Sequence, residues 1–253
     1  MRALVISDIH SNLPAFEAVL ATAPSHDAVW NLGDVVGYGP NPNEVIVLAR
    51  NLGGIVVRGN HDRACAGIMP YGKFCEFSSL AASAVRWTQS VLTKENAEWL
   101  AKLRRGPVWP IPRKVQCVHG APKDEDEYLF FREDAWAALY GSRARIIFCG
   151  HTHWQVCWSL YRREVPPLKP DYQSSDCAAQ FEVPLEKGRR YLINPGSVGQ
   201  PRDGDWRAAF AVYDDTRSVL TWFRVPYKVL TAQRRIRRAG LPEVLVTRLR
   251  EGS

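Results

Sequence analysis

Residues 55–62 read IVVRGNHD, a β-branched run that stops on asparagine, histidine and aspartate. A turn accounts for Asn60 and Asp62, since both tolerate left-handed backbone and hydrogen-bond their own main chain, and for Gly59, which takes positive φ freely. It leaves His61 unexplained. The same pattern recurs along the chain: ALVIS (3–7) runs into Asp8 and His10, AVWNLG (28–33) into Asp34, VQCV (115–118) into His119, and RIIFCG (145–150) into His151 and His153. A lone histidine is ordinarily a hydrogen-bonded loop or core residue. Of the six histidines, however, every one except His26 follows such a run, and that reading does not cover them jointly.

Short β-branched runs alternating with helical patterns argue for βα units and an α/β fold with a parallel or mixed sheet. A first strand at Ala3–Ser7 leads to a helix opening near Pro14, with Phe16, Val19 and Leu20 as its apolar stripe. A second helix is expected from about Asn43 to Arg50. The stretch Ser78–Leu103 reads as two helices dividing near Thr93, a suitable N-cap. Beyond residue 106, strands are expected at Val108–Ile111, Val115–Val118, Ile146–Cys149, Val156–Leu160, Arg190–Ile193, Ala208–Tyr213 and Val219–Val225, with one helix at about Arg132–Tyr140. Arg162–Ala179 carries three prolines and no periodicity, and reads as a long surface loop.

With 253 residues, 46% hydrophobic content and no evident linker, the chain is expected to form one domain over 1–253. No apolar run approaches the ~18–20 residues of a membrane span, and the start does not read as a signal peptide, so a cytoplasmic protein is expected. The six cysteines form no CxxC pair and read as buried reduced thiols. The net charge of +7 owes much to RRIRRAG (234–240), Arg248 and Arg250, within a basic C-terminal helix and tail at about 228–253. Without interleaved aromatics this reads as a solvated helix face rather than a nucleic-acid patch, and an anionic substrate elsewhere stays compatible.

In α/β folds, ligands bind in the crevice beyond the carboxyl ends of strands, so the five tails are expected to converge on one pocket. Imidazoles, two aspartates and an asparagine carbonyl together exceed what one divalent ion, with about four to six ligands, can use. Two ions sharing a carboxylate would use the set. Nitrogen and oxygen ligands without thiolate favour Mn, Fe, Zn, Co or Ni over Mg or Ca. Such a pair lowers the pKa of a water between the ions and clamps phosphoryl oxygens during displacement, so phosphate-ester hydrolysis follows.

The blocks DIH (8–10), GD (33–34), GNHD (59–62), VHG (118–120) and GHTH (150–153), in this order, resemble the calcineurin-like metallophosphoesterase superfamily. DxH or GD alone is a weak signal; GNHD and GHTH in sequence with the others are specific. GDVVGYGPNPNEV (33–45) and NPGSVGQPRDG (194–204) are similar to its branch of small bacterial and archaeal phosphodiesterases. The resemblance spans residues 3 to about 213 and implies a sandwich of two mixed β-sheets flanked by helices. It implies Asp8, His10 and His153 as ligands of a first metal, Asn60, His119 and His151 as ligands of a second, and Asp34 as their bridge, with manganese taken first. It makes His61 a catalytic residue beside the phosphate, stabilising the transition state or protonating the leaving oxygen.

Other residues have two readings. Asp62 orients a neighbour or merely completes the turn; Arg202 contacts a substrate phosphate or lies on the surface. Asn194 and Ser197 are expected to shape a tight loop, and Trp154 could flank the pocket. The expected function is hydrolysis of phosphodiesters or small phosphomonoesters. The rivals are a silent binding protein on the same fold, which would ordinarily have lost a ligand, and a nuclease using the basic helix. Substrate choice is expected to depend on the rim, including Cys65–Phe77 and Arg162–Ala179, and a homo-oligomer is left open.

Overall fold

The computed structural model describes residues 1–173 and 176–253. The strands are β1 (Arg2–Ile6), β2 (Ala28–Asn31), β3 (Ile55–Val56), β4 (Val108–Ile111), β5 (Val115–Cys117), β6 (Ile146–Phe148), β7 (Gln155–Leu160), β8 (Pro167–Leu168), β9 (Ala179–Pro184), β10 (Arg190–Pro195), β11 (Ala208–Asp214) and β12 (Val219–Val225). The helices are α1 (Leu13–Thr22), α2 (Pro42–Leu52), α3 (Asn60–Cys65), α4 (Tyr71–Phe74), α5 (Ser79–Val91), α6 (Lys94–Ala101), α7 (Arg132–Gly141), α8 (Val229–Arg238) and α9 (Glu243–Glu251). The strands make two six-stranded sheets, in the orders β3-β2-β1-β11-β12-β9 and β4-β5-β6-β10-β7-β8. Both are mixed: β1 pairs parallel with β2 and antiparallel with β11, while β10 pairs parallel with β6 and antiparallel with β7.

Side chains on a strand alternate between faces, so a strand buried on both reads as an unbroken apolar run. In β1, Ala3 and Val5 face the second sheet among Trp30, Phe148, Ile193, Tyr213 and Trp222. Leu4 and Ile6 face outward onto Phe16, Val19, Val45, Ile236 and Leu245 from the helices. On the far side, α7 lays Ala135, Ala138 and Leu139 on Ile147, Trp158 and Leu192. The result is four layers, helix–sheet–sheet–helix, as the resemblance implied. Trp30, Phe148 and Trp222 are buried between the sheets. Truncating an aromatic so placed costs about 3–5 kcal/mol, so this layer fixes the strands whose ends carry the polar residues.

Thr93 is an N-cap as expected, and Ser78 proves to be one too, each side chain accepting from the backbone N–H three residues on. Four expectations need correction. The segment read as loop over 162–179 contains β8, paired with β7, and its last residue begins β9, which edges the first sheet; Ser174 and Ser175 lie outside the described residues. The GNHD block, where a turn with Gly59 at positive φ was to account for Asn60 and Asp62, instead opens α3: Gly59 is extended at φ −96°, and Asp62 accepts its N–H at 2.9 Å. The basic tail is two helices broken at Gly240, whose φ of 68° no helix accepts. Cys75 and Cys177 are exposed, while the other four thiols are buried; all six are free. No helix among the described residues is long and apolar enough to cross a membrane.

Candidate metal centre

The loops leaving β1, β2 and β6 end at one edge of the sandwich, and their turns are tight. Asp8, His10, Asp34, Tyr38, His151 and His153 all have φ between 47° and 68°. A non-glycine residue there costs about 1–3 kcal/mol, and such residues persist where surrounding bonds over-determine them. Those bonds are present: Asp8 N–H donates to Gly33 O at 2.9 Å, His10 N–H to Asp34 O at 3.0 Å, and Gly150 N–H to His119 O at 2.8 Å. Asp62 accepts from the N–H groups of Asp34 and Gly59 at 2.9 Å and of Val36 at 3.2 Å, so it orients the Asp34 loop as well as its own turn. Burial, then the charge of Asp34, outweighs those N–H groups and pushes the Asp62 carboxyl up to about 7. Asn194 donates to Gly150 O and Thr152 Oγ1, and Ser197 to Asp8 O, so both shape loops rather than face the pocket.

The eight residues singled out from the sequence come together, in two clusters. In the first, His10 Nε2 and His153 Nε2 stand 3.1 Å apart, with Asp8 Oδ1 3.3 Å from the His153 nitrogen. In the second, His119 Nε2 lies 3.1 Å from His151 Nδ1 and 3.2 Å from Asn60 Oδ1. Asp34 Oδ2 lies between the clusters, 3.6 Å from His10 Nε2 and 3.4 Å from His119 Nε2. His26 stands apart, against the Pro24 carbonyl.

The other nitrogen of each ring decides what this arrangement can hold. His10 Nδ1 meets Val36 O at 3.0 Å, His119 Nδ1 meets Leu32 O at 2.9 Å, His153 Nδ1 meets Gln200 O at 2.6 Å, and His151 Nε2 meets Asp126 O at 3.1 Å. A carbonyl only accepts, so each outer nitrogen carries the hydrogen and each inner one presents a lone pair. With all four rings neutral, four lone pairs, two carboxylates and an amide oxygen face one another. Cations satisfy such a set, and the backbone partners that fix the rings are those expected around ligating imidazoles. Burial holds the imidazoles of His10, His153 and His151 neutral, the last lowered to about 3. Burial also works against charge on His119, but Asp34 and Asp8 prevail and lift it to about 10, a sign that the carboxylates call for positive charge here.

His61 is buried between Tyr38, His10 and Phe77, with ring centroids 4.5, 4.9 and 5.0 Å away. Its Nδ1 has no hydrogen-bond partner and packs on Gly37, where a Cβ would come within 2.4 Å, leaving Nε2 to address the cavity. Burial, more than the neighbouring Arg202 charge, lowers this imidazole to about 4. Its ligand atom also lies within 4.8 Å of those of His10 and Asp34.

A cavity of about 360 Å³ opens beside the clusters, lined among others by Asn60, His61, Phe77, Tyr128, Arg202 and Arg248. Tyr128 stacks on His151 at 3.7 Å. Arg202, for which a surface and a pocket position were both open, lines the cavity with its Cζ 5.6 Å from the Tyr38 ring. The rim takes Met69, Lys73, Glu76 and Phe77 from the Cys65–Phe77 segment. The 162–179 segment instead borders a neighbouring cavity of about 390 Å³, through Lys169, Pro170 and Tyr172, and Trp154 flanks that one. Sequence reasoning missed Tyr128, Tyr38 and Arg248. Arg248 belonged to the tail read as solvated; Arg234, Arg237, Arg238 and Arg250 are indeed exposed, but Arg248 is half-buried at the cavity. Behind the second cluster, Arg58 forks onto Glu125 through two 2.8 Å bonds, and Arg63 pairs with both Glu125 and Asp126, pinning the loop whose carbonyl holds His151.

Two mixed sheets packed face to face, with carboxylates and imidazoles gathered at their loop edge, define a metallophosphoesterase. The chain belongs to the calcineurin-like phosphoesterase family, whose sequence profile matches residues 1–155. It is 36% identical over 252 residues to an uncharacterised protein of Methanocaldococcus jannaschii, covering 97% of this chain and 96% of that one. It is 29% identical over 213 residues to the symmetrical bis(5'-nucleosyl)-tetraphosphatase of Klebsiella pneumoniae, covering 67% of this chain and 74% of that one. The crystal structure of a metallophosphoesterase from Sphaerobacter thermophilus superposes with a TM-score of 0.83 at 37% identity, over 100% of this chain and 99% of that one.

Proposed function

We propose that this protein is a binuclear hydrolase of phosphate esters and anhydrides on small molecules. In this reading Asp8, His10 and His153 hold one divalent cation, Asn60, His119 and His151 the other, and Asp34 bridges them, with Mn²⁺ ahead of Fe, Zn, Ni or Co. Such a pair, when bound, lowers the pKa of water and neutralises charge on phosphoryl oxygens. The observation that carries the reading is the opposition of inward lone pairs about Asp34, which protons alone do not resolve.

The chain's own residues supply the rest. His61, lowered to about 4, is neutral at pH 7. Its proton belongs on Nε2, because a bare lone pair at the partnerless Nδ1 costs less than an orphaned N–H. From there it donates to a phosphoryl or leaving-group oxygen as charge builds. Tyr128 and Phe77 offer apolar walls to an organic group, and Arg202 a guanidinium to an anion. The tetraphosphatase relatives favour a small phosphorylated substrate over nucleic acid. Six free thiols suit a reducing compartment, hence the cytoplasm.

The test is hydrolysis of p-nitrophenyl phosphate, bis-p-nitrophenyl phosphate and diadenosine tetraphosphate with added Mn²⁺, alongside metal counting by mass spectrometry. Two bound metals with turnover of at least one substrate are expected, and Asp34→Asn is expected to lose metal and rate together. Two metals with no turnover of any phosphate ester or anhydride would leave the silent-scaffold reading standing instead.

A further inference from the structure

We infer that Arg202 and Arg248 form a second anion site within the cavity, which selects substrates whose leaving group carries a further phosphate. This rests on the hydrolase reading above and names the substrate class of that site.

Both guanidiniums line the cavity, and neither is paired with a carboxylate among the described residues. Lys73 on the rim pairs with Glu76 at 3.3 Å, and Asp126 is taken by Arg63. Within α8 and α9, Arg235 donates to Asn41 and Arg237 forks onto Glu243. Arg248 makes no side-chain hydrogen bond or ion pair among the described residues, though it is half-buried at the cavity wall. Arg202 gives one Nη to Gln200 at 3.1 Å, while its Nε is buried without a partner. Two cations lining one cavity repel, and a half-buried guanidinium without a carboxylate is costly; an anion between them relieves both. Burial raises the Tyr38 hydroxyl while Arg202 and Arg248 pull it down, so both charges act on the same ring.

The two arginines are also held together by the backbone. Leu245 and Leu249 bury the inner face of α9. Gly252 N–H donates to Arg248 O at 2.9 Å, and Gly204 N–H to Gly252 O at 3.0 Å, tying the end of α9 to the loop that carries Arg202. Sites that hold whole small molecules begin at about 300 Å³, so a cavity of about 360 Å³ accommodates a substituted phosphate rather than a bare one. The reaction is hydrolysis of an anhydride: the oxygen of water bonds to phosphorus, the bond to the bridging oxygen breaks, and that oxygen leaves with the electron pair on the departing phosphate. The departing phosphate is the group the arginines receive.

The test compares kcat/KM for diadenosine tetraphosphate and for bis-p-nitrophenyl phosphate in the Mn²⁺-loaded protein and its Arg248→Gln and Arg248→Lys variants. Loss of charge-assisted hydrogen bonds predicts about a 10- to 100-fold fall for the tetraphosphate in Arg248→Gln, a much smaller fall for the diester, and partial recovery in Arg248→Lys. An equal fall for both substrates, or none for either, overturns the inference while leaving the hydrolase reading intact. If the wild-type protein turns over neither of these nor p-nitrophenyl phosphate, the hydrolase reading fails and binding decides the anion site separately. Methylenediphosphonate should then bind the Mn²⁺-loaded protein at least about 10-fold tighter than methylphosphonate, a preference that Arg248→Gln abolishes; equal affinities overturn it. Thermal melting of each variant separates loss of the site from loss of the fold.

Discussion

Gly59→Ala is the sharpest perturbation of the centre that leaves every polar residue in place. A Cβ at this position would lie 2.0 Å from Asp34 Oδ1, 2.7 Å from its Cγ and 2.5 Å from its backbone nitrogen. Ordinary contact begins at 3.4 Å, so the carboxylate or the GNHD loop must move by about 1.4 Å. Neither yields cheaply, because Asp34 Oδ1 accepts the His61 N–H at 2.9 Å and the loop is held by Asp62. Overpacking of this kind costs about 1–3 kcal/mol, and a misplacement of about 1 Å at a reacting centre costs on the order of 10²-fold in rate. The assay is a metal titration and Mn²⁺-dependent turnover, with urea unfolding in EDTA to isolate the packing cost. Gly72→Ala is the control, since its Cβ would meet nothing within 4 Å; it should leave stability unchanged or raise it by about 0.4–1 kcal/mol. A Gly59→Ala protein with both metals at unchanged affinity and turnover within threefold would refute the idea that close approach of these loops builds the bridge.

Further outcomes follow from the same geometry. His61→Ala should keep both metals and lose about 10²- to 10⁴-fold in rate; a fall in metal content would make His61 a ligand instead. Arg63→Ala frees Asp126 and so loosens the carbonyl that holds His151, and should weaken metal affinity or rate by about 10- to 100-fold, read by titration with Mn²⁺. In EDTA, His61 titrates near 4 when folded but near 6.5 when unfolded, so below 6.5 the unfolded chain gains a proton that the folded chain refuses. Stability should therefore decline as pH falls from about 6.5 towards 4, less steeply in His61→Gln; the same slope in both proteins would exclude His61 as its source.

Local signals were legible in the sequence wherever one element sets its own outcome. The unbroken apolar runs at β1 and β6, the Thr93 cap, and the Asp and His tails of the strands all survived folding, because each depends on neighbours a few residues away. β9 was hidden: it follows a proline-rich stretch, and as an edge strand it is only partly buried. α3 was read as a turn because Asn60, His61 and Asp62 favour one until Asp62 reaches back to cap Gly59.

The sequence by itself determined the donor chemistry, since imidazole, carboxylate and amide groups keep their character wherever they are placed, and motif order was enough to indicate which of them act together. Tertiary structure decided which nitrogen of each ring turns inward, because the four carbonyls of Leu32, Val36, Asp126 and Gln200 come from loops far away along the chain. It also decided the fate of Arg248. A helix with an arginine every few residues exposes most of them; only the docking of α9 against the Arg202 loop turns this one toward the cavity, and that depends on packing between segments distant along the chain, through the Gly204–Gly252 bond.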